Sequence, residues 1–271
     1  MRQPIEKFFA DRGPHLAAMI AYFALLSFVP LLFLALAMLG LVGRADQSTY
    51  VVTELKKAFP GQSVETIVRV VRQIQRNATT LGVLGAAILA WTSLSLFSVL
   101  ESAFNIVYGR PNRPFLRGKG IALALLLSSL VTLFVGLLVG SLGAGVLRDH
   151  APGLIGNDVV ARILSLLISS TAVFVFLVSV YYLLTNVDHT FHDVLPGALV
   201  ATVLLEASFQ LLPLYADYAR ENVTLRIGTP AVLIVWLYLM ANVIVFGAEI
   251  NWWWSQRRRA AAPQEEVPGL A

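Results

Sequence analysis

Long apolar runs separated by short polar stretches dominate the pattern of this chain. The runs fall at about 16–42, 81–107, 121–147, 159–187, 194–215 and 229–254. Each exceeds the roughly 20 residues with which an α-helix crosses a bilayer core about 30 Å thick. None shows the period-two alternation of a barrel strand. The pattern predicts an all-α, polytopic membrane protein, a bundle of six transmembrane helices in one domain over 1–255. The remainder, 256–271, is polar and Pro-containing and is expected to be a disordered cytoplasmic tail.

A different periodicity occupies the first connection, at about 49–78. Val64, Ile67, Val68, Val71 and Ile74 recur at helical spacing, and Arg69, Arg72 and Arg76 take much of the remaining surface. Pro60-Gly61 separates this piece from an earlier helical one. A basic amphipathic helix beside spanning segments is expected in the lipid headgroup plane, with its arginines facing anionic lipid. A helix packed over the mouth of the bundle is the alternative.

Composition agrees with the pattern. Hydrophobic residues make up 57% of the chain and charged residues 13%, against roughly 25% charged in a soluble domain. There is no cysteine, which excludes disulfides, thiolate metal sites and cysteine nucleophiles. The net charge of +4 is read as a topology signal, not as a nucleic-acid footprint. Arg2, Lys7 and Arg12 precede the first run, Arg110, Arg113, Arg117 and Lys119 follow the second, and Arg257, Arg258 and Arg259 follow the sixth. The excess of Lys and Arg marks the cytoplasmic side, so both termini are expected there. The first apolar run is too long for a cleaved signal peptide and reads as a retained helix. The cytoplasmic segments are too short to build cores of their own, so any activity belongs to the bundle or its membrane faces.

Few residues in the apolar runs can carry chemistry. Glu206, Gln210, Pro213 and Asp217 share one helical face with Thr202, and Pro213 removes a backbone donor. Glu249 stands alone in the sixth run, with Asn242 two turns before it and Gly247 as a close-packing position. The second run holds Glu101 and Asn105, the first Tyr22 and Ser27. Ionisable groups at membrane depth are costly, and they either fix helix packing through hydrogen bonds or line a functional polar cavity. Glu206, Gln210, Asn105, Asn242, Glu249, Glu101, Tyr22 and Ser27 are therefore the candidate lining of a polar cavity. Gly136 and Gly140 in the third run continue a small-residue stripe and are expected to pack helices, as is Gly247. His189 and His192 beside Asp188 and Asp193 read as a polar turn at the membrane face, not as a metal site.

Five stretches together resemble the YihY/BrkB family of bacterial inner-membrane proteins, historically labelled ribonuclease BN. They are AAMIAYFALLSFVPLLFLALAML, FPGQSVETI, WTSLSLFSVLESAFNIVYG, LPGALVATVLLEASFQLLPLYADY and VWLYLMANVIVFGAEINW. Tyr22, Ser27, Pro30, Pro60, Asn105, Gly197, Tyr215, Gly228, Gly247 and Glu249 stand at family-pattern positions. The resemblance implies a six-helix inner-membrane protein and no established reaction.

The expected function is that of a transporter or a lipid- or amphiphile-handling membrane protein. Its partners would be membrane lipids, with an anionic amphiphile as candidate substrate. No cofactor, metal or nucleic acid is expected, and oligomeric state is left open. The alternative is a non-catalytic scaffold or envelope-integrity protein. A ribonuclease is disfavoured, because the cytoplasmic segments offer little room for RNA beside a positioned acid–base pair or metal cluster.

Overall fold

The computed structural model describes the backbone of residues 3–41, 78–129, 158–188, 190–222 and 229–261. The amphipathic segment with Arg69, Arg72 and Arg76, the glycines Gly136 and Gly140, and the tail from 262 lie outside the described residues. The described parts are helical: α1 (Pro4–Ala10), α2 (Gly13–Leu41), α3 (Ala78–Val107), α4 (115–129), α5 (Asp158–Leu184), α6 (Phe191–Asn222) and α7 (Thr229–Ala261).

Each boundary has a local cause. α1 starts with Pro4 at its first positions, where a missing N–H costs nothing. It ends at Asp11, and Arg12 turns the chain into α2 with φ +57°. α3 ends in a Schellman motif. The Arg110 N–H donates to the Asn105 carbonyl (2.8 Å) and the Gly109 N–H to that of Ile106 (3.0 Å), with Gly109 at φ +63°. α6 opens with a capping box, in which the Asp193 carboxylate accepts from the Thr190 N–H at 3.0 Å and from its hydroxyl at 2.8 Å. Pro213 does not end α6, which runs on to Asn222.

α7 packs against α6 and α2, α2 against α3, and α5 against α6, while α1 docks on α2 and α7. Buried positions recur every three or four residues: Leu16, Ala17, Ile20 on α2, Leu100, Ala103, Phe104 on α3, Leu177, Val180, Tyr181, Leu184 on α5, and Val194, Ala198, Ala201, Leu205 on α6. The opposite faces remain apolar and exposed, with Leu167, Ile168, Val203 and Leu211 among them. Helices apolar on every side belong in lipid.

Among the described residues, Leu166–Leu184, Phe191–Leu211 and Leu233–Ala260 are long and apolar enough to cross a membrane, and Gly13–Ser27 is a shorter apolar helix. α4 covers the start of the expected third span, and the remainder of that span lies outside the described residues. One expectation needs correction. The beginning of the supposed disordered tail, 256–261, is the last part of α7. The Arg257 guanidinium stacks on the Trp253 ring at 3.8 Å, Arg258 pairs with Asp193 at 3.2 Å, and Arg259 donates to the Asp188 carbonyl at 3.1 Å. Arginines in a last turn also meet the negative end of the helix dipole.

Candidate functional site

The eight candidate lining residues divide among separate places. At the end of the bundle where α1, the ends of α3, α5 and α7, and the start of α6 converge, here called the basic end, two networks form. Glu101 is 5% exposed and pairs with Arg113, Oε1 to Nη1 3.4 Å. Arg113 also donates to the Leu184 and Thr185 carbonyls at 2.6 and 2.7 Å, satisfying groups that the end of α5 leaves unpaired. The Asn105 side chain accepts from the Asn186 N–H (2.7 Å) and donates to Asn112 (3.1 Å). Glu101 and Asn105 thus tie the 108–114 connection to α5.

Glu249, 0% exposed, belongs to the second network. Its Oε2 lies 3.1 Å from Lys7 Nζ, an ion pair without hydrogen-bond alignment. The Lys7 ammonium also donates to Asp11 and, at 2.6 Å, to the Val107 carbonyl, and it sits 4.3 Å from the centre of the Trp252 ring. Just past α3, burial and then the charges of Asp193 and Glu249 push the Tyr108 phenol above its ordinary range.

Glu206 lies elsewhere. It is half-buried on α6, and its Oε1 accepts from Ser169 Oγ of α5 at 2.8 Å. Both residues stand 15 positions from the basic-end terminus of their helix, or about 22 Å at 1.5 Å per residue. They meet deep in the apolar zone. α6 and α7 run antiparallel with Gly197 beside Gly247 and Phe209 beside Trp236. That register brings Tyr238 level with Glu206, and Asn242 level with Thr202, one turn nearer the basic end. The Asn242 amide donates to the Tyr238 carbonyl of its own helix at 2.7 Å. Gln210 is exposed one turn beyond Glu206. Tyr22 is 59% exposed on α2, and Ser27 donates to the Thr92 carbonyl of α3 at 3.0 Å.

Gly247 lies at a three-helix contact. A Cβ there would meet the Tyr181 hydroxyl at 2.3 Å, and that hydroxyl donates to the Ile244 carbonyl at 2.8 Å. A Cβ on Gly197 would stand 2.0 Å from the Gly247 carbonyl oxygen. Asn251 completes the contact by accepting from the Gly197 N–H at 2.7 Å.

Sequence reasoning missed Lys7 as the partner of Glu249 and Arg113 as the partner of Glu101. A signal existed: a buried acid demands a cation. Spacing along the chain does not say which of the terminal cations folds back to meet it.

The family model described as Virulence factor BrkB matches residues 5–269. A UPF0761 membrane protein of Azoarcus sp. (strain BH72) is 30% identical over 91% of this chain and 61% of its own length. Another, of Azotobacter vinelandii, is 27% identical over 92% of this chain and 61% of its own. The putative ribonuclease-like protein YfkH of Bacillus subtilis (strain 168) is 24% identical over 93% of both chains. The chain thus spans about three-fifths of the length of the two UPF0761 relatives. No solved structure matches.

Proposed function

The chain belongs to the virulence factor BrkB family of membrane proteins, and from that premise we propose that it moves or handles amphiphiles in the bacterial inner membrane, with Glu206 as the polar group its substrate meets. The observation that carries this reading is the Glu206–Ser169 pair on the α5–α6 seam, about 22 Å in from the helix ends. A carboxyl group held at membrane depth costs on the order of 3 kcal/mol. Glu101 and Glu249 offset such a cost with Arg113 and Lys7, at the basic end. Glu206 has a hydroxyl partner and retains exposure. It can exchange that hydroxyl for the headgroup of a lipid arriving from the side. In this reading Glu249, Glu101 and Asn105 hold the bundle together, and Glu206, Ser169 and Gln210 meet the substrate.

Purified protein in vesicles containing fluorescently labelled phosphatidylglycerol tests this, with a membrane-impermeant quencher reporting movement between leaflets. Wild-type protein should speed the exchange over empty vesicles. Glu206→Gln should slow it about tenfold, the effect of losing one hydrogen bond to a charged group. Equal rates for wild type and variant would remove Glu206 from the mechanism. Rates matching empty vesicles for both would favour the scaffold reading, in which polar groups serve packing alone.

A further inference from the structure

Lys7 occupies a seat whose parts are those that recognise a primary ammonium. A carboxylate, Glu249, stands 3.1 Å from Nζ. A carbonyl, Val107, accepts at 2.6 Å, and as the last residue of α3 it lacks an intrahelical donor. The ring of Trp252 offers its face at 4.3 Å. Asp11 adds a second carboxylate from the turn after α1. Two carboxylates therefore face one ammonium. Glu249 Oε1 is fully buried and has no hydrogen-bond partner among the described residues.

The element that delivers the ammonium is lightly held. α1 has seven residues, too few to be helical without docking. It joins α2 through Arg12 at φ +57°, a conformation that L-residues adopt at a cost. Ile5 and Phe9 point away from the bundle, 60% and 65% exposed. Inward contact rests on Lys7 and on Phe8, whose ring meets Phe246 edge-on at 5.9 Å. When α1 leaves, Asp11 leaves with it, and Glu249, Trp252 and the Val107 carbonyl remain around the seat.

We propose that this seat is a primary-ammonium site, that α1 fills it as a tethered latch, and that undocking opens it to free amines or to lipid headgroups carrying a primary ammonium. The proposal is independent of the Glu206 reading, since it concerns the basic end of α3 and α7, and Glu206 lies about 22 Å along α6 from that end.

The latch occupant is removed with Lys7→Ala, and thermal unfolding is followed with ethylammonium chloride or tetramethylammonium chloride at equal ionic strength. Ethylammonium should restore most of the lost Tm. Tetramethylammonium, which has no N–H to donate, should not. Adding Glu249→Gln should abolish the difference. A second arm places Lys7→Ala in nanodiscs of phosphatidylethanolamine or phosphatidylglycerol. Higher stability in phosphatidylethanolamine identifies the headgroup as the amine source, and ethylammonium rescue in phosphatidylglycerol identifies a free amine. Equal response to both salts together with no lipid difference overturns the proposal. If Lys7→Ala does not fold, exchange of the backbone amides at positions 7 and 11 is measured in Asp11→Asn. Exchange should rise several-fold over wild type and rise again with ethylammonium. Exchange indifferent to ethylammonium overturns it equally.

Discussion

Arg113 joins α3 to the end of α5 with one side chain. Its guanidinium meets the buried carboxylate of Glu101 and two carbonyls at the end of α5. Removing one member of a buried pair strands the other, at a cost of about 3 kcal/mol. Arg113→Ala should accordingly lower the unfolding temperature in detergent by about 6–12 °C, taking about 2–4 °C per kcal/mol. Lys at this position keeps the charge and loses the fork that spans both carbonyls, so Arg113→Lys should fall between Ala and wild type. The double variant Glu101→Gln, Arg113→Met should be more stable than Arg113→Ala alone, because no charge is left without a partner. A double variant no better than the single one would show that Arg113 acts through its carbonyl contacts and not through Glu101.

At the scale of elements, α5, α6 and α7 approach one another through glycines whose surroundings differ. At Gly197 a methyl group would collide with backbone, the Gly247 carbonyl, at 2.0 Å. Backbone cannot rotate away, so the helices must separate, and Gly197→Ala should cost about 3 kcal/mol. At Gly247 the collision is with the tip of Tyr181, which can move by giving up its bond to Ile244. Gly247→Ala should cost about 1–2 kcal/mol. Gly109 has open space around it, and only its φ of +63° resists a side chain, at about 1 kcal/mol. Thermal unfolding of the three alanine variants should rank them in that order. Gly109 emerging as the most sensitive would mean that the α3 cap, not the helix seam, limits stability.

For the molecule as a whole, charge is sorted at the basic end. Glu101, Asp193 and Glu249 are buried against Arg113, Arg258 and Lys7, while Arg110, Arg117, Arg257 and Arg259 are exposed. Exposed arginines outnumber the exposed acids Glu6 and Asp188 and leave this face positive, the charge expected on the cytoplasmic side of a membrane. The chain has no cysteine, so a single introduced thiol gives an unambiguous report. Ala260→Cys, at an exposed position near the end of α7, should react with a membrane-impermeant maleimide in opened cells and not in intact ones. Labelling in intact cells would contradict the expected cytoplasmic placement of the basic end.

Among the described residues, the helical type of the long apolar runs was legible in the chain, because each run is long and lipid accepts helices with every backbone group paired internally. The Pro4 start of α1 and the Gly109 stop of α3 rest on local chemistry that a reading of apolar runs does not use. The Asp193 cap was equally local and was read instead as part of a polar turn. That Glu249 is an isolated acid is visible in GAEINWWW. What tertiary structure decided is its neighbour: Lys7, more than two hundred positions earlier in the chain, rather than Glu206 on the adjacent helix. The expectation of one shared polar interior assumed that buried acids gather together. The fold instead gives each acid the donor that its own level in the bundle supplies, because a buried charge is stabilised by the nearest opposite charge or hydroxyl and destabilised by a like one. Periodicity assigns a residue to a helical face, and only the packing of several helices sets what that face meets.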